Sequence, residues 1–396
     1  MASRVRVGLG AAVLLLAACG APSASPTSSP RAASPSAPAA TTATTTAPTS
    51  AAAPAAAPVP LRKGERFVTV KMGRAYTPRA PSTGTDDYRC FLLDPRLKRD
   101  SFVTGLNVLP GNAHVVHHVI LFRVPPSDVA RADALDGKDG RPGWTCFGGS
   151  GLEAQGGSLD SAPWLGAWAP GGGESTLAPD LGIPLKARSR IIMQVHYNLL
   201  AGRSPDISSA KLRVTNASSA RRALDTILLP APVNLPCRPG KTGPLCDYRA
   251  ASADLQDRFG AMAAKTNDLL NLFCQSPLPG PTQSCTRPVR ERATIRAVAG
   301  HMHLLGRRIT IVVNKGKPDA RTVLDIPVWD FDNQASRPLR KPLAIGPGDT
   351  LTVTCTHDQA LRDIQPAFAG RPERFVMWGE GTTDEMCLGI VLVTRP

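Results

Sequence analysis

Short runs of Val, Ile and Thr recur along this chain, each closed by a cluster of Gly, Pro, Asn or Asp. Arg66–Lys71, Val115–Arg123, Arg190–Tyr197, Thr294–His301, Arg308–Val313, Thr350–Thr354 and Gly389–Val393 are all of this kind. Branched side chains are stiff and pack well on a pleated surface, and runs this short between turn residues are the signature of β-sandwiches. The 38 prolines and 35 glycines exclude a compact helical bundle, while a hydrophobic content of 42% excludes wholesale disorder. One segment breaks the pattern. Between Ala250 and Phe273, residues Leu255, Phe259, Met262, Leu269, Leu270 and Phe273 recur at helical spacing and predict one amphipathic helix. It lies between Cys237/Cys246 and Cys274/Cys285, so it reads as a disulfide-stapled insertion over about residues 237–285. A division near Asn216 leaves two halves of sandwich size. The expected fold is mainly β: two tandem antiparallel, jelly-roll-like β-sandwich domains over 61–216 and 217–396, with the helical insertion in the second.

The first sixty residues read differently. Arg4 and Arg6 precede an apolar run from Val7 to Leu16, and Leu16-Ala17-Ala18-Cys19 closes it, which is the shape of an export signal over residues 1–19. A cysteine after small residues resembles the bacterial lipobox, in which that cysteine carries the lipid; the alternative is an ordinary signal with a chance cysteine. The run from Val7 to Ala18 is too short to span a bilayer as a mature helix, which excludes a polytopic membrane protein. From Gly20 to Pro60, every residue but Gly20, Arg31 and Val59 is Ala, Pro, Ser or Thr. Such a segment cannot offset its ordering entropy and reads as a disordered tether, reaching up to about 130 Å if extended. The expected location is the extracytoplasmic face of the cell membrane, reached by export and held through a lipid on Cys19.

Cysteine parity agrees with export. Without Cys19, eight remain: Cys90, Cys146, Cys237, Cys246, Cys274, Cys285, Cys355 and Cys387. None has the spacing of a zinc ribbon or redox motif, so four structural disulfides are expected, although parity leaves the connectivity open.

The histidines carry the chemistry. Five of seven fall in three tight contexts: His117-His118, then His196 within Gln194-Val195-His196-Tyr197-Asn198, then His301-Met302-His303. In a strand, His301 and His303 face the same way and can present two imidazoles to one ion, with Met302 on the opposite face. Adjacent His117 and His118 face apart in a regular strand and can share a metal only at a strand end or bulge, or through different ring nitrogens. A lone strand histidine is more often a packed residue than a ligand; the clustering is what favours metal. A set of histidines alone suits Zn, Cu, Ni or Fe, and an added thioether tilts a site toward Cu(I). Met377 and Met386 are the candidate thioethers, with core filling as the alternative role for each.

At this point the residues resemble a family. Trp378-Gly379-Glu380-Gly381-Thr382-Thr383-Asp384-Glu385-Met386-Cys387, preceded in order by His117-His118, Gln194-Val195-His196-Tyr197 and His301-x-His303, resembles the copper type II, ascorbate-dependent monooxygenases, whose members include peptidylglycine α-hydroxylating monooxygenase and dopamine β-hydroxylase. The likeness continues through the segment from Asp325 to Gln334, Gly348-Asp349 and Thr354-Cys355. The resemblance implies two copper ions on two β-sandwiches: one held by His117, His118 and His196, the other by His301, His303 and Met386, where O2 binds and substrate is hydroxylated. It implies a small-molecule substrate and O2, with ascorbate or another one-electron reductant as co-substrate. It further implies Cys355–Cys387 and Cys90–Cys146 pairs; the short loops then favour Cys237–Cys246 and Cys274–Cys285. Gln194 and Tyr88 match family positions near the copper sites. Ala299 stands where the peptide-processing member has an arginine, and Leu388 and Ile390 where it has Asn and Tyr. These replacements argue against glycine-extended peptides and toward a small hydrophobic or phenolic substrate. The competing function is a non-catalytic copper-binding or copper-delivery lipoprotein of the cell envelope.

Two histidines remain: His114 and His357 both read as loop residues. Gly171-Gly172-Gly173 lacks the Lys-Ser/Thr of a phosphate loop and reads as a turn. A net charge of +15 is spread rather than clustered with aromatics, which disfavours nucleic acid and suits anionic envelope polymers or lipid headgroups.

Overall fold

A computed structural model of the chain describes residues 59–80, 84–152, 163–170, 172–217, 220–276 and 278–396. The expected export signal, Cys19 and the tether up to Pro58 lie outside the described residues, as does Gly171. The fold is mainly β. Each Val/Ile/Thr run lies on an observed strand, including Val116–Val124, Arg190–Asn198, Ala293–His301, Thr350–His357 and Cys387–Thr394.

Two apolar cores organise the strands. In the first, a five-stranded sheet ordered Trp144–Thr145, Asp86–Leu93, Arg190–Asn198, Val116–Val124, Trp164–Trp168 faces the strands Arg66–Lys71, Ser209–Asn216, Ser101–Leu109 and Leu181–Leu185. Phe91, Val119, Leu121, Ile191, Met193 and Val195 meet Val70, Val103, Leu106, Leu185 and Leu212 between these layers. In the second core a four-stranded sheet, Thr282–Pro288, Thr350–His357, Gly306–Val313 and Arg321–Ile326, packs Ile309, Ile311, Leu324 and Val353 against Ile295, Val298, Val391 and Val393. One large sheet contributes a layer to both cores. Its two parts meet where Arg222–Ala231 runs parallel to Leu181–Leu185 over only two residue pairs, Arg222 with Leu181 and Ala223 with Gly182.

Strand alternation positions the site. Arg190–Asn198 is buried on both faces because it is central: Ile191, Met193, Val195 and Tyr197 enter the first core, so Ile192, Gln194 and His196 face the other way. On the neighbouring Asp86–Leu93, the register pairs Tyr88 with His196 and Cys90 with Gln194, which brings Asp86, Tyr88, Gln194 and His196 to one sheet face.

The insertion departs from the single expected helix. Two helices form, Tyr248–Phe259 and Ala261–Cys274, because Gly260 takes φ 87°, a conformation that ends one helix and that side-chain-bearing residues rarely adopt. Asp247 caps the first through a bond from the Ala250 amide. The continuous apolar face therefore does not exist: Leu255, Phe259 and Leu270 are buried, whereas Met262, Leu269 and Phe273 are exposed. Disulfides link Cys90–Cys146, Cys237–Cys246, Cys274–Cys285 and Cys355–Cys387. A second correction concerns His357, which is the last residue of Thr350–His357 and is only 1% exposed, because the strand continues past Cys355 under the loop bearing Met386. His114 lies on an exposed turn. Among the described residues no helix is long and apolar enough to cross a membrane.

Candidate metal centre

His117 and His118 open the strand Val116–Val124, and His196 lies near the end of the adjacent antiparallel Arg190–Asn198. The ladder is irregular between Val116 and His118, and this break lets consecutive residues turn their rings to the same place. The Nδ1 of His196 lies 3.1 Å from Nδ1 of His117 and 3.3 Å from Nδ1 of His118, and the potential ligand atoms of all three lie within 4.8 Å of one another. The far side of His196 fixes its tautomer: Nε2–H donates to Asp86 Oδ1 at 2.9 Å, which leaves the Nδ1 lone pair free. Tyr88 stacks on His196 at 4.1 Å between ring centroids, and its hydroxyl donates to the Glu380 carbonyl.

His301 ends the strand Ala293–His301, where it pairs with Leu388, so Met386 lies two residues beyond that pair in the segment leading into the neighbouring strand. The Nδ1 of His301 bonds Gln334 Oε1 at 2.6 Å and that of His303 bonds the Asp384 carbonyl at 3.1 Å, so the Nε2 atoms are the nitrogens left to bind a common ligand. The two rings lie 5.1 Å apart, and the His118 and His301 rings 6.3 Å apart, so the two histidine groups adjoin. Met386 is buried among Leu270, Trp378 and Leu388, with Trp164, Leu228 and Ile390 packed around them.

Burial sets the protonation of these groups. It holds His117 and His118 well below the usual histidine range, with the neighbouring imidazoles adding to the effect. His301 is pushed down to about 4 by burial and by His303. His196 is lowered by burial, which its bond to Asp86 only partly offsets. Burial alone would raise the Asp86 carboxyl, but the bonds from His196 and Thr382 outweigh it and hold it well below the carboxylate range. Neutral imidazoles with oriented lone pairs are what a borderline or soft transition metal requires, so the donor set fits copper.

Other residues from the sequence reading separate here. Gln194 is buried, and its amide is spent on the carbonyls of Cys146 and Gly149 rather than on an imidazole. Met377 packs with Leu255, Phe259 and Phe375, away from the histidines. Several participants were not singled out. Phe331 stacks on His117 at 5.3 Å, Trp329 donates to the His303 carbonyl, and Gln334 orients His301. All three lie in the segment from Asp325 to Gln334, whose resemblance was the available signal. Asp86 carried a weaker one, its i, i+2 relation to Tyr88 on a strand. Thr382 bonds Asp86 through its hydroxyl at 2.7 Å and its amide at 3.2 Å, and its signal was its place in the run from Trp378 to Cys387 that carries the resemblance.

A β scaffold that gathers five imidazoles in two adjoining groups is suited to a histidine-ligated metal. Residues 281–392 match the family described as copper type II ascorbate-dependent monooxygenase, C-terminal domain. The chain is 23% identical over 304 residues to tyramine beta-hydroxylase of Caenorhabditis briggsae, an alignment covering 72% of this chain and 40% of that protein. The chain thus matches less than half the length of this curated relative. Residues 281–392 thus carry a copper type II, ascorbate-dependent monooxygenase C-terminal domain, and the weaker likeness over 304 residues points the same way. Among solved structures, an empty particle of cowpea mosaic virus shares 8% identity over 84% of this chain and 89% of that one, at a TM-score of 0.30. The coconut allergen cocosin shares 10% over 83% and 85%, at 0.15. Likeness this slight carries no argument.

Proposed function

We propose that this chain is a copper-dependent monooxygenase that hydroxylates a C–H bond of a small organic substrate with O2, taking two electrons from ascorbate or another one-electron reductant. The balance is R–H + O2 + 2 e⁻ + 2 H⁺ giving R–OH and water. The observation that carries this reading is the convergence of His117, His118 and His196 beside His301 and His303, with one ring nitrogen of His196, His301 and His303 oriented by Asp86, Gln334 and the Asp384 carbonyl respectively.

His117, His118 and His196 would hold one copper, and His301, His303 and Met386 a second. Bound copper supplies one-electron redox chemistry and O2 activation, which no side chain provides. The protein's own part is to hold and exclude. Asp86 and Gln334 fix ring orientation, and the burial that lowers the pKa values of His117, His118, His196 and His301 keeps their lone pairs available at neutral pH. Around Met386, Leu270, Trp378 and Leu388 exclude water and suit an uncharged, apolar substrate. Ala299, 6% exposed and paired with Ile390, presents no charge to a substrate carboxylate. Four disulfides belong to an oxidising, extracytoplasmic compartment, and a lipid on Cys19 would tether the body to the membrane there.

The test is in two stages. The purified body should bind about two copper ions, and ascorbate-dependent O2 consumption should rise with members of an apolar and phenolic substrate panel. Met386→Ile should abolish that turnover while the all-histidine site keeps its copper. Copper binding without turnover on any substrate would favour the copper-delivery role, and less than one copper after reconstitution would refute both.

A further inference from the structure

Glu385 precedes Met386 and is fully buried, yet no role in ligation or substrate contact falls to it. Its carboxylate accepts the backbone N–H of His303 at 2.9 Å, of Leu305 at 2.5 Å and of Met386 at 3.2 Å. The first two amides belong to the turn that leaves the sheet after His301, where no strand partner satisfies them. On its other side lies His357, also buried, with Nε2 3.4 Å from Glu385 Oε2 and 3.3 Å from the Met386 carbonyl. The Nδ1 of His357 is buried without a hydrogen-bond partner. A carboxylate and an imidazole are costly to bury, and the Glu385 carboxylate joins the turn that carries His303 to the segment that carries Met386.

We propose that Glu385 is a positioning residue for the His301, His303 and Met386 site, with His357 holding its carboxylate in place. This rests on the copper reading above. One carboxylate fixes the 302–305 turn to the segment bearing Met386, so the imidazole and thioether donors keep one spacing before any metal arrives. His357 is itself anchored, because it ends the strand of Cys355, whose disulfide partner Cys387 follows Met386. Preorganisation of this kind shows as metal affinity.

The experiment is copper titration of the full chain against a competing chelator, together with thermal melting of the metal-free protein. Glu385→Ala, Glu385→Gln and His357→Leu are compared with wild type and with Met386→Ile. Wild type binds two coppers, and Glu385→Ala weakens by about 10- to 100-fold the copper that Met386→Ile also loses, with a distinctly smaller effect on the other. Glu385→Gln keeps one oxygen acceptor and restores part of the affinity; His357→Leu weakens the same copper. Should Glu385→Ala fail to fold, Glu385→Gln and His357→Leu decide. Two coppers at wild-type affinity in both of those variants overturn the positioning role alone, as does equal weakening of both coppers. Less than one copper in wild type overturns the copper reading itself.

Discussion

Replacing Asp86 tests whether the all-histidine cluster is built as described. The carboxylate is 5% exposed and accepts from three buried donors: His196 Nε2–H at 2.9 Å, Thr382 Oγ1–H at 2.7 Å and Thr382 N–H at 3.2 Å. In Asp86→Ala all three lose their acceptor. A buried donor left unsatisfied costs about 1–3 kcal/mol, and partial relaxation puts the total near the lower end, about 3–5 kcal/mol of folding stability. In Asp86→Asn the amide oxygen still accepts, so only the charge-assisted part of these bonds is lost, and the cost falls to about 1–2 kcal/mol. The imidazole of His196 also loses its orienting partner, which lowers copper affinity at that cluster by about 10- to 100-fold in the alanine variant. Urea unfolding of the metal-free chain reads the first quantity and copper titration the second. An alanine variant within about 1 kcal/mol of wild type, or one with unchanged copper affinity, would refute both the assigned tautomer and the ligand role of His196.

Acid should destabilise the metal-free protein. His117, His118, His196 and His301 all have folded pKa values below the ordinary 6.5, so the unfolded chain binds protons that the folded chain does not. Their contribution is complete above pH 6.5 and is lost as pH falls; for His301, titrating near 4, it amounts to about 3 kcal/mol. Asp86 acts in the same direction at lower pH, since a depressed carboxylate loses its contribution below its unfolded value. A melting temperature that stays level or rises between pH 7.5 and pH 4 contradicts this. Tyr88→Phe removes the bond to the Glu380 carbonyl but keeps the stacking on His196, so it should cost about 1 kcal/mol in unfolding experiments and leave copper affinity unchanged.

The strands were legible because branched residues at period two leave the same trace in sequence and in burial. Arg190–Asn198 shows both the trace and its limit: the alternation of Ile191, Met193 and Val195 is visible, but which neighbours lie opposite His196 depends on register with distant strands. Tyr88 could be matched to a family position, yet Asp86 could not be recognised as the partner of His196 from its own surroundings. The adjacent His117 and His118 pointed apart under regular strand geometry, and a shift of the ladder between Val116 and His118 resolves the difficulty. In the insertion, helical spacing runs straight across Gly260, because periodicity is blind to one positive φ. His357 looked like a loop residue for a related reason: the polar Thr356-His357-Asp358 run conceals a strand whose last side chain is buried against Glu385.

The segment from Trp378 to Cys387 explains why the motif was readable while the substrate was not. Its polar groups reach both histidine groups. The Glu380 carbonyl takes the Tyr88 hydroxyl, Thr382 bonds Asp86 and accepts from Asn198, and the Asp384 carbonyl takes His303. The Asp384 carboxylate meanwhile holds Arg258 of the helical insertion in two bonds, at 2.7 and 2.8 Å. The Glu380 and Asp384 carbonyls could come from any residue, but the Thr382 hydroxyl and the Asp384 and Glu385 carboxylates have tasks that few other side chains perform, which ties this run to its sequence. Leu388 and Ile390 contribute only apolar packing around Met386, a task that several apolar side chains can perform. The same segment makes the two histidine groups mechanically dependent. Asp86→Ala frees Thr382, four residues from Met386, so its effect on copper should extend from the His196 cluster to the His301, His303 and Met386 site, more weakly there because Glu385 still holds the segment from the other side.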